Sequence, residues 1–247
     1  MLPETYVSVI LLSIVSGSTT VIGVALALWF KKSVKLVVAG IGFSAGIMLA
    51  ISFLELIPES IFATGKYSAL FALVLGFLTL LVMHFIIPHT HFCNSGKKCS
   101  RIMTVGLCVT IGMILHDFPE GFAMANSFVY KPMLGILVAL AIAIHNIPEE
   151  FALAMPLVIT KKKWFLYKMA LLSALAEPVG AVAGLIAVSI SPALTPVFMA
   201  FAAGAMIFVS IDELYPMAQA YRMPKMFLTG IALSLAVYFA LSYLLPH

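Results

Sequence analysis

Eight apolar runs, each long enough to cross a lipid bilayer, follow one another along this chain with only short polar breaks between them. About 20 apolar residues in helical geometry span the ~30 Å hydrocarbon layer. No water is available there, so each backbone amide must find its partner within the spanning segment, which selects helices. The runs fall at about 6–30, 36–62, 68–88, 102–128, 133–159, 165–190, 194–219 and 226–245. They take up most of the 247 residues. The expected fold is therefore an all-α polytopic membrane protein of eight transmembrane helices, one domain over 1–247 with no separate soluble module. Composition agrees: 10% of residues are charged, against about 25% in an average soluble domain.

The net charge of +4 does not imply a nucleic-acid partner, because the basic residues are scattered in small clusters between the runs. Twelve of the fourteen lie in or beside the first, third, fifth and seventh breaks, while Lys66 and Lys131 alone occupy the others. Cytoplasmic loops are the ones enriched in Lys and Arg, so both termini are expected outside the cytoplasm, in a multi-pass plasma or inner membrane protein. Three cysteines do not make a disulfide framework. With Glu4 and no basic leader, the first run is expected to be a retained span rather than a cleaved signal.

Residues 42–58, GFSAGIMLAISFLELIP, and 200–216, AFAAGAMIFVSIDELYP, are identical at eight of seventeen positions with an offset of 158, including a shared Ser-x-x-Glu-Leu-x-Pro. The same offset lays spans one to three on spans six to eight. Equivalent helices stand five places apart in the order of spans, an odd number, so the two triplets would cross the membrane in opposite directions. An inverted repeat of this kind, three plus two plus three, is typical of secondary transporters with a midplane site. It divides the chain into a first triplet at 1–95, a central helix pair at 96–160 and a second triplet at 161–247.

Nine of ten acidic residues fall within the spans or at their ends: Glu55, Glu59, Asp117, Glu120, Glu149, Glu150, Glu177, Asp212 and Glu213. An acid at a helix centre costs roughly 2.5–3.5 kcal/mol on insertion scales, so Asp117, Glu120 and Glu149 together cost on the order of 8–10 kcal/mol. No Lys or Arg lies at the same depth, which leaves a cation from solution as the simplest partner. Spans four and five carry His116-Asp117-Phe118-Pro119-Glu120 and His145-Asn146-Ile147-Pro148-Glu149. Positions i and i+4 share a helix face, so His116 lies over Glu120 and His145 over Glu149, with Asp117 and Asn146 one step aside. Nitrogen and carboxylate ligands together suit one or two divalent transition ions. Pro119 and Pro148 lack the amide that would bond Leu115 and Ile144, so each should kink its helix. Pro58, Pro178 and Pro216 likewise sit close to Glu55, Glu177 and Glu213, which predicts one acid-lined polar path.

At these residues the chain resembles the ZIP (Zrt/Irt-like) family of divalent metal transporters, and within it the short ZupT-like bacterial branch. HDFPEG and HNIPEE are similar to the family's HNFPEG and HNIPEG. The resemblance implies a primary metal site of His116, Glu120, His145 and Glu149, an adjoining second site including Asp117 and Asn146, and Glu177 of the sixth span at its border. Asp117 stands where the family usually has Asn, and Glu150 where it has Gly. Glu55, Asp212 and Glu213 are candidate access or exit residues, with Met48 and Met206 near the path. His89 and His91, in a loop with Cys93 and Cys99, resemble the family's His-rich loop. The cargo expected is Zn²⁺ taken up into the cytoplasm, with Fe²⁺, Mn²⁺, Co²⁺ and Cd²⁺ as further substrates, a binuclear site as a variant, and a second copy of the chain as a candidate partner. The rival is an intramembrane metal-dependent hydrolase using the same ligands. A proton-conducting or sensor protein is a third reading.

Overall fold

The computed structural model describes residues 3–30, 33–86, 98–158 and 163–245. Among them no strand occurs, and the chain forms eight helices. In order they are α1 (Pro3–Trp29), α2 (Val34–Thr64), α3 (Lys66–Ile86), α4 (Lys98–Tyr130), α5 (Pro132–Val158), α6 (Lys163–Ile190), α7 (Pro192–Ala220) and α8 (Pro224–Leu244). Their bounds lie within a few residues of the apolar runs. Seven combine the length and hydropathy needed to cross a membrane. The other, α4, is 33 residues long and holds His116, Asp117 and Glu120.

The surface is apolar and the polar groups are inside. Leu11, Val15, Leu70, Phe71, Leu233 and Phe239 are exposed, whereas Asp117, Glu120, Glu149, Glu150 and Glu177 are buried. That inversion suits a bilayer, where lipid is as apolar as a leucine side chain and a carboxylate must find its partners inside the protein.

Two sets of helices pack side by side. Helix α1 lies on α5 and α6, and α4 on α5 and α6; helix α2 lies on α8 and α7, and α3 on α7. The sets meet where α2 crosses α5 and α4 crosses α7. Bare backbone permits close approach between these helices: a Cβ on Gly180 would sit 2.1 Å from the carbonyl oxygen of Phe118. Small residues at helix crossings are the usual device for close packing in lipid.

Where the helical pattern changes, an acid and a proline are nearby. Residues Ser52–Leu56 and Ser210–Leu214 are π-helical turns inside α2 and α7, in which the amides of Ile57 and Tyr215 reach back to the carbonyls of Ser52 and Ser210. Each π turn lies just ahead of a proline, Pro58 or Pro216, whose nitrogen carries no proton to donate. Helix α6 is interrupted at Leu175, between Lys163–Ala174 and Ala176–Ile190, just ahead of Glu177 and Pro178. Helices α4 and α5, by contrast, stay α-helical through Pro119 and Pro148.

Candidate metal centre

Four side chains from α4 and α5 converge in the interior. Nε2 of His116 lies 2.8 Å from Oε1 of Glu149 and 3.5 Å from Oε1 of Glu120. Nε2 of His145 lies 3.0 Å from Oε1 of Glu120 and 3.8 Å from Oε2 of Glu149. Each His thus faces the Glu one turn along its own helix and the Glu of the other helix. One ligand atom from each of His116, Glu120 and Glu149 falls within 4.8 Å of the others. All four residues are at most 4% exposed.

The tautomer of His145 follows from its second contact. Its Nδ1 is 2.9 Å from the carbonyl oxygen of Ala141. A carbonyl only accepts, so Nδ1 carries the proton and donates it there, leaving Nε2 of the neutral ring with a lone pair. That lone pair points at a carboxylate oxygen 3.0 Å away, which is repulsive unless a cation or a proton lies between them. A metal-ligating His commonly gives its other nitrogen to a carbonyl in this way. Ser44 of α2 steadies the same turn by donating to the carbonyl of His145 at 3.0 Å.

Several polar atoms of the cluster have no hydrogen-bond partner: Oε2 of Glu120, Glu149, Glu150 and Glu177, and Nε2 of His116, which is near Glu149 but not aligned with it. Leaving a buried acceptor unsatisfied costs about 1–3 kcal/mol, more for a charged group. Among the described residues no Lys or Arg pairs with these acids; the lysine ion pair is Lys131 with Glu59, 2.6 Å apart at the turn between α4 and α5. Glu59 accepts a hydrogen bond from the Lys131 ammonium and so holds its pKa above the usual lysine value. The donor set therefore fits a divalent cation: two imidazoles, charged oxygens short of partners, and no competing cationic side chain.

A second tier lies one step round each helix. Asp117 accepts a hydrogen bond from Ser173, and Asn146 donates to Oε1 of Glu177. Ser173 was not among the sequence candidates, although it stands four residues before Glu177 and so on the same face of α6. Glu150 is buried beside this tier, with Asp117 and Glu149 as its charged neighbours.

The remaining candidates separate to the two ends. Glu55 is buried on the π turn of α2 and accepts a hydrogen bond from the hydroxyl of Tyr238 on α8, a partner that the sequence does not announce. It lies on the side of the cluster toward Lys131. Glu213, on the matching π turn of α7, has His116, Glu149 and Asp212 as its charged neighbours. Asp212 lies 3.2 Å from Nδ1 of His84, near the end of α3. Met48 meets the hydroxyl of Ser210 at 3.7 Å, where α2 and α7 touch. His89 and His91 lie outside the described residues.

Comparison with known proteins points the same way as the geometry. The family profile described as ZIP Zinc transporter matches residues 88–242. A protein of Chlorobium luteolum called zinc transporter ZupT is 36% identical over 258 residues, covering 96% of this chain and 97% of the relative. Proteins with the same description from Corynebacterium efficiens and Shigella dysenteriae are each 36% identical, covering 84% and 85% of this chain.

Proposed function

Because this chain belongs to the ZIP family of zinc transporters, we propose that it carries Zn²⁺ across the membrane into the cytoplasm, through the buried His and Glu cluster between α4 and α5. The observation that supports this most is Nε2 of His145 facing the carboxylate of Glu120 at 3.0 Å, in a cluster whose acids have no Lys or Arg partner among the described residues. His116, Glu120, His145 and Glu149 replace the water ligands of the ion, the carboxylates neutralising it and the imidazoles favouring a borderline metal over Mg²⁺ or Ca²⁺. Asp117, Asn146 and Glu177 complete a second position beside it, so that the centre holds two ions. Fe²⁺, Mn²⁺, Co²⁺ and Cd²⁺ are the further substrates expected of such ligands.

The path runs from the side of Glu55, through the cluster, past Glu213 to Asp212 and His84. Positive-inside charge places Glu55 toward the exterior and His84 toward the cytoplasm. Alternating access follows from an inverted repeat, for which the element bounds speak. Shifted by 158 residues, Lys66–Ile86 becomes Pro224–Leu244 and Ser52–Leu56 becomes Ser210–Leu214. The packing pairs obey the same exchange, α1 on α5 answering α6 on α4, and α2 on α8 answering α7 on α3. The moving unit is the set α1, α4, α5 and α6 that holds the cluster, sliding against the other four helices.

The test is uptake of radioactive Zn²⁺ into proteoliposomes. Saturable uptake by the wild type, absent in Glu149→Ala, is expected. Tight zinc binding without uptake would refute transport and favour the hydrolase or the sensor.

A further inference from the structure

One buried carboxylate is not needed to hold the first ion. Glu150 is 4% exposed, and its Oε2 has no hydrogen-bond partner. It stands one helical turn beyond Asn146, as Glu149 stands beyond His145, so α5 carries two parallel pairs of ligand type on adjacent strips of its surface. Helix α1 makes room for it. A Cβ on Gly23 would lie 2.7 Å from Cβ of Glu150 and 2.6 Å from the carbonyl oxygen of Ile147, so α1 presents bare backbone where this side chain enters the core. On α4 the corresponding place, four residues beyond Asp117, is Gly121, against which the backbone of Glu177 packs. One helix therefore admits an acid from its neighbour, and the other supplies its own.

These positions divide the cluster by chemistry. On one side His116 and His145 offer nitrogen beside Glu120 and Glu149. On the other, the acids Asp117, Glu150 and Glu177 offer only oxygen; Asp117 accepts from Ser173, Glu177 accepts from Asn146 and has the Ser16 hydroxyl of α1 beside it, and Oε2 of Glu150 remains without a partner. Oxygen-rich, carboxylate-heavy sets suit hard ions such as Mn²⁺, which stands at the weak end of the general affinity order and depends most on added charge and added ligands. Zn²⁺ is content with four ligands including imidazole.

We propose that Glu150 is a specificity-determining residue, whose carboxylate gives the oxygen side of the centre the additional hard ligand that lets this protein accept Mn²⁺ beside Zn²⁺. The inference rests on the transport reading and specifies its substrate range. It is tested with the full chain in proteoliposomes, measuring radioactive Mn²⁺ and Zn²⁺ uptake separately for wild type, the near-isosteric Glu150→Gln, and Glu150→Gly. The ratio of Mn²⁺ to Zn²⁺ uptake should fall about tenfold or more in both variants, the scale of losing a ligand-shell partner. An unchanged ratio, or equal loss of both ions in Glu150→Gln, overturns the proposal and leaves Glu150 a packing residue. A second readout needs no transport: titration of detergent-solubilised protein with Mn²⁺, followed by the spin-resonance signal of the free aqueous ion. Wild type should suppress that signal at concentrations where Glu150→Gln does not, and failure of the wild type to suppress it also overturns the proposal. Absence of zinc uptake by the wild type would sink the transport reading, while the Mn²⁺ titration would still decide the role of Glu150.

Discussion

Replacing Gly121 with alanine would put a methyl group 1.9 Å from the carbonyl oxygen of Glu177 and 2.7 Å from its carbonyl carbon. Real Cβ atoms essentially never approach within 3.0 Å of another heavy atom, so α4 and α6 must separate by roughly 1.1 Å at this point. The obstacle is backbone in a packed helix, and no rotamer change relieves it. Overpacking of this kind costs about 1–3 kcal/mol. Gly112→Ala on the same helix supplies the control, since no atom of the described residues lies within 4 Å of the added methyl. Both substitutions gain the same helix propensity, up to about 1 kcal/mol, so the difference between them isolates the steric contact at about 1–3 kcal/mol. Function should suffer as well, because the displaced segment carries Glu177 at the border of the cluster. Zinc affinity is expected to fall on the order of 10- to 100-fold in Gly121→Ala. Thermal unfolding in detergent and zinc uptake in proteoliposomes read the two effects. If Gly121→Ala matches Gly112→Ala in both, α6 does not lean on α4 as described, and the packing argument is wrong.

Zinc binding should weaken steeply below about pH 6, because it requires neutral imidazoles and ionised carboxylates and protons compete for both; unchanged affinity at pH 5 would contradict the ligand assignment. The Lys131–Glu59 pair behaves differently. Its lysine pKa is raised by the bound carboxylate, so its contribution is present at neutral pH and is lost only as pH climbs through that raised value. The lysine side chain is 42% exposed, and exposed pairs are worth about 0–1 kcal/mol. Lys131→Ala should accordingly shift the thermal midpoint only slightly at pH 7, and an unfolded or strongly destabilised variant would show that the pair is holding the turn between α4 and α5 to α2.

The helices and the cluster were legible because the bilayer leaves few alternatives. An apolar run must be about 20 residues long to cross, and an acid at depth must be explained, so the bounds of α2 and α8 and the convergence of His116, Glu120, His145 and Glu149 follow from order and spacing. Partners contributed by distant helices were not legible: Tyr238 reaches Glu55 across 183 positions, and a lone tyrosine in an apolar run gives no sign of it. Ser173 had a signal in its spacing from Glu177, which its ordinary abundance in packed helices concealed. Prolines mark irregular backbone without fixing its form. The π turns before Pro58 and Pro216 and the interruption before Pro178 depend on which carbonyls can find another donor, and that is decided by packing rather than by the proline itself.

The central claim is that the ion leaves water for these buried side chains, and X-ray absorption at the zinc edge of the purified, zinc-loaded protein tests it most directly. A first shell of mixed imidazole nitrogen and carboxylate oxygen at about 2.0–2.2 Å, with the imidazole scattering reduced in His145→Ala, is the predicted result. A shell containing sulfur, or a spectrum unchanged by His145→Ala, would place the zinc elsewhere and contradict the account.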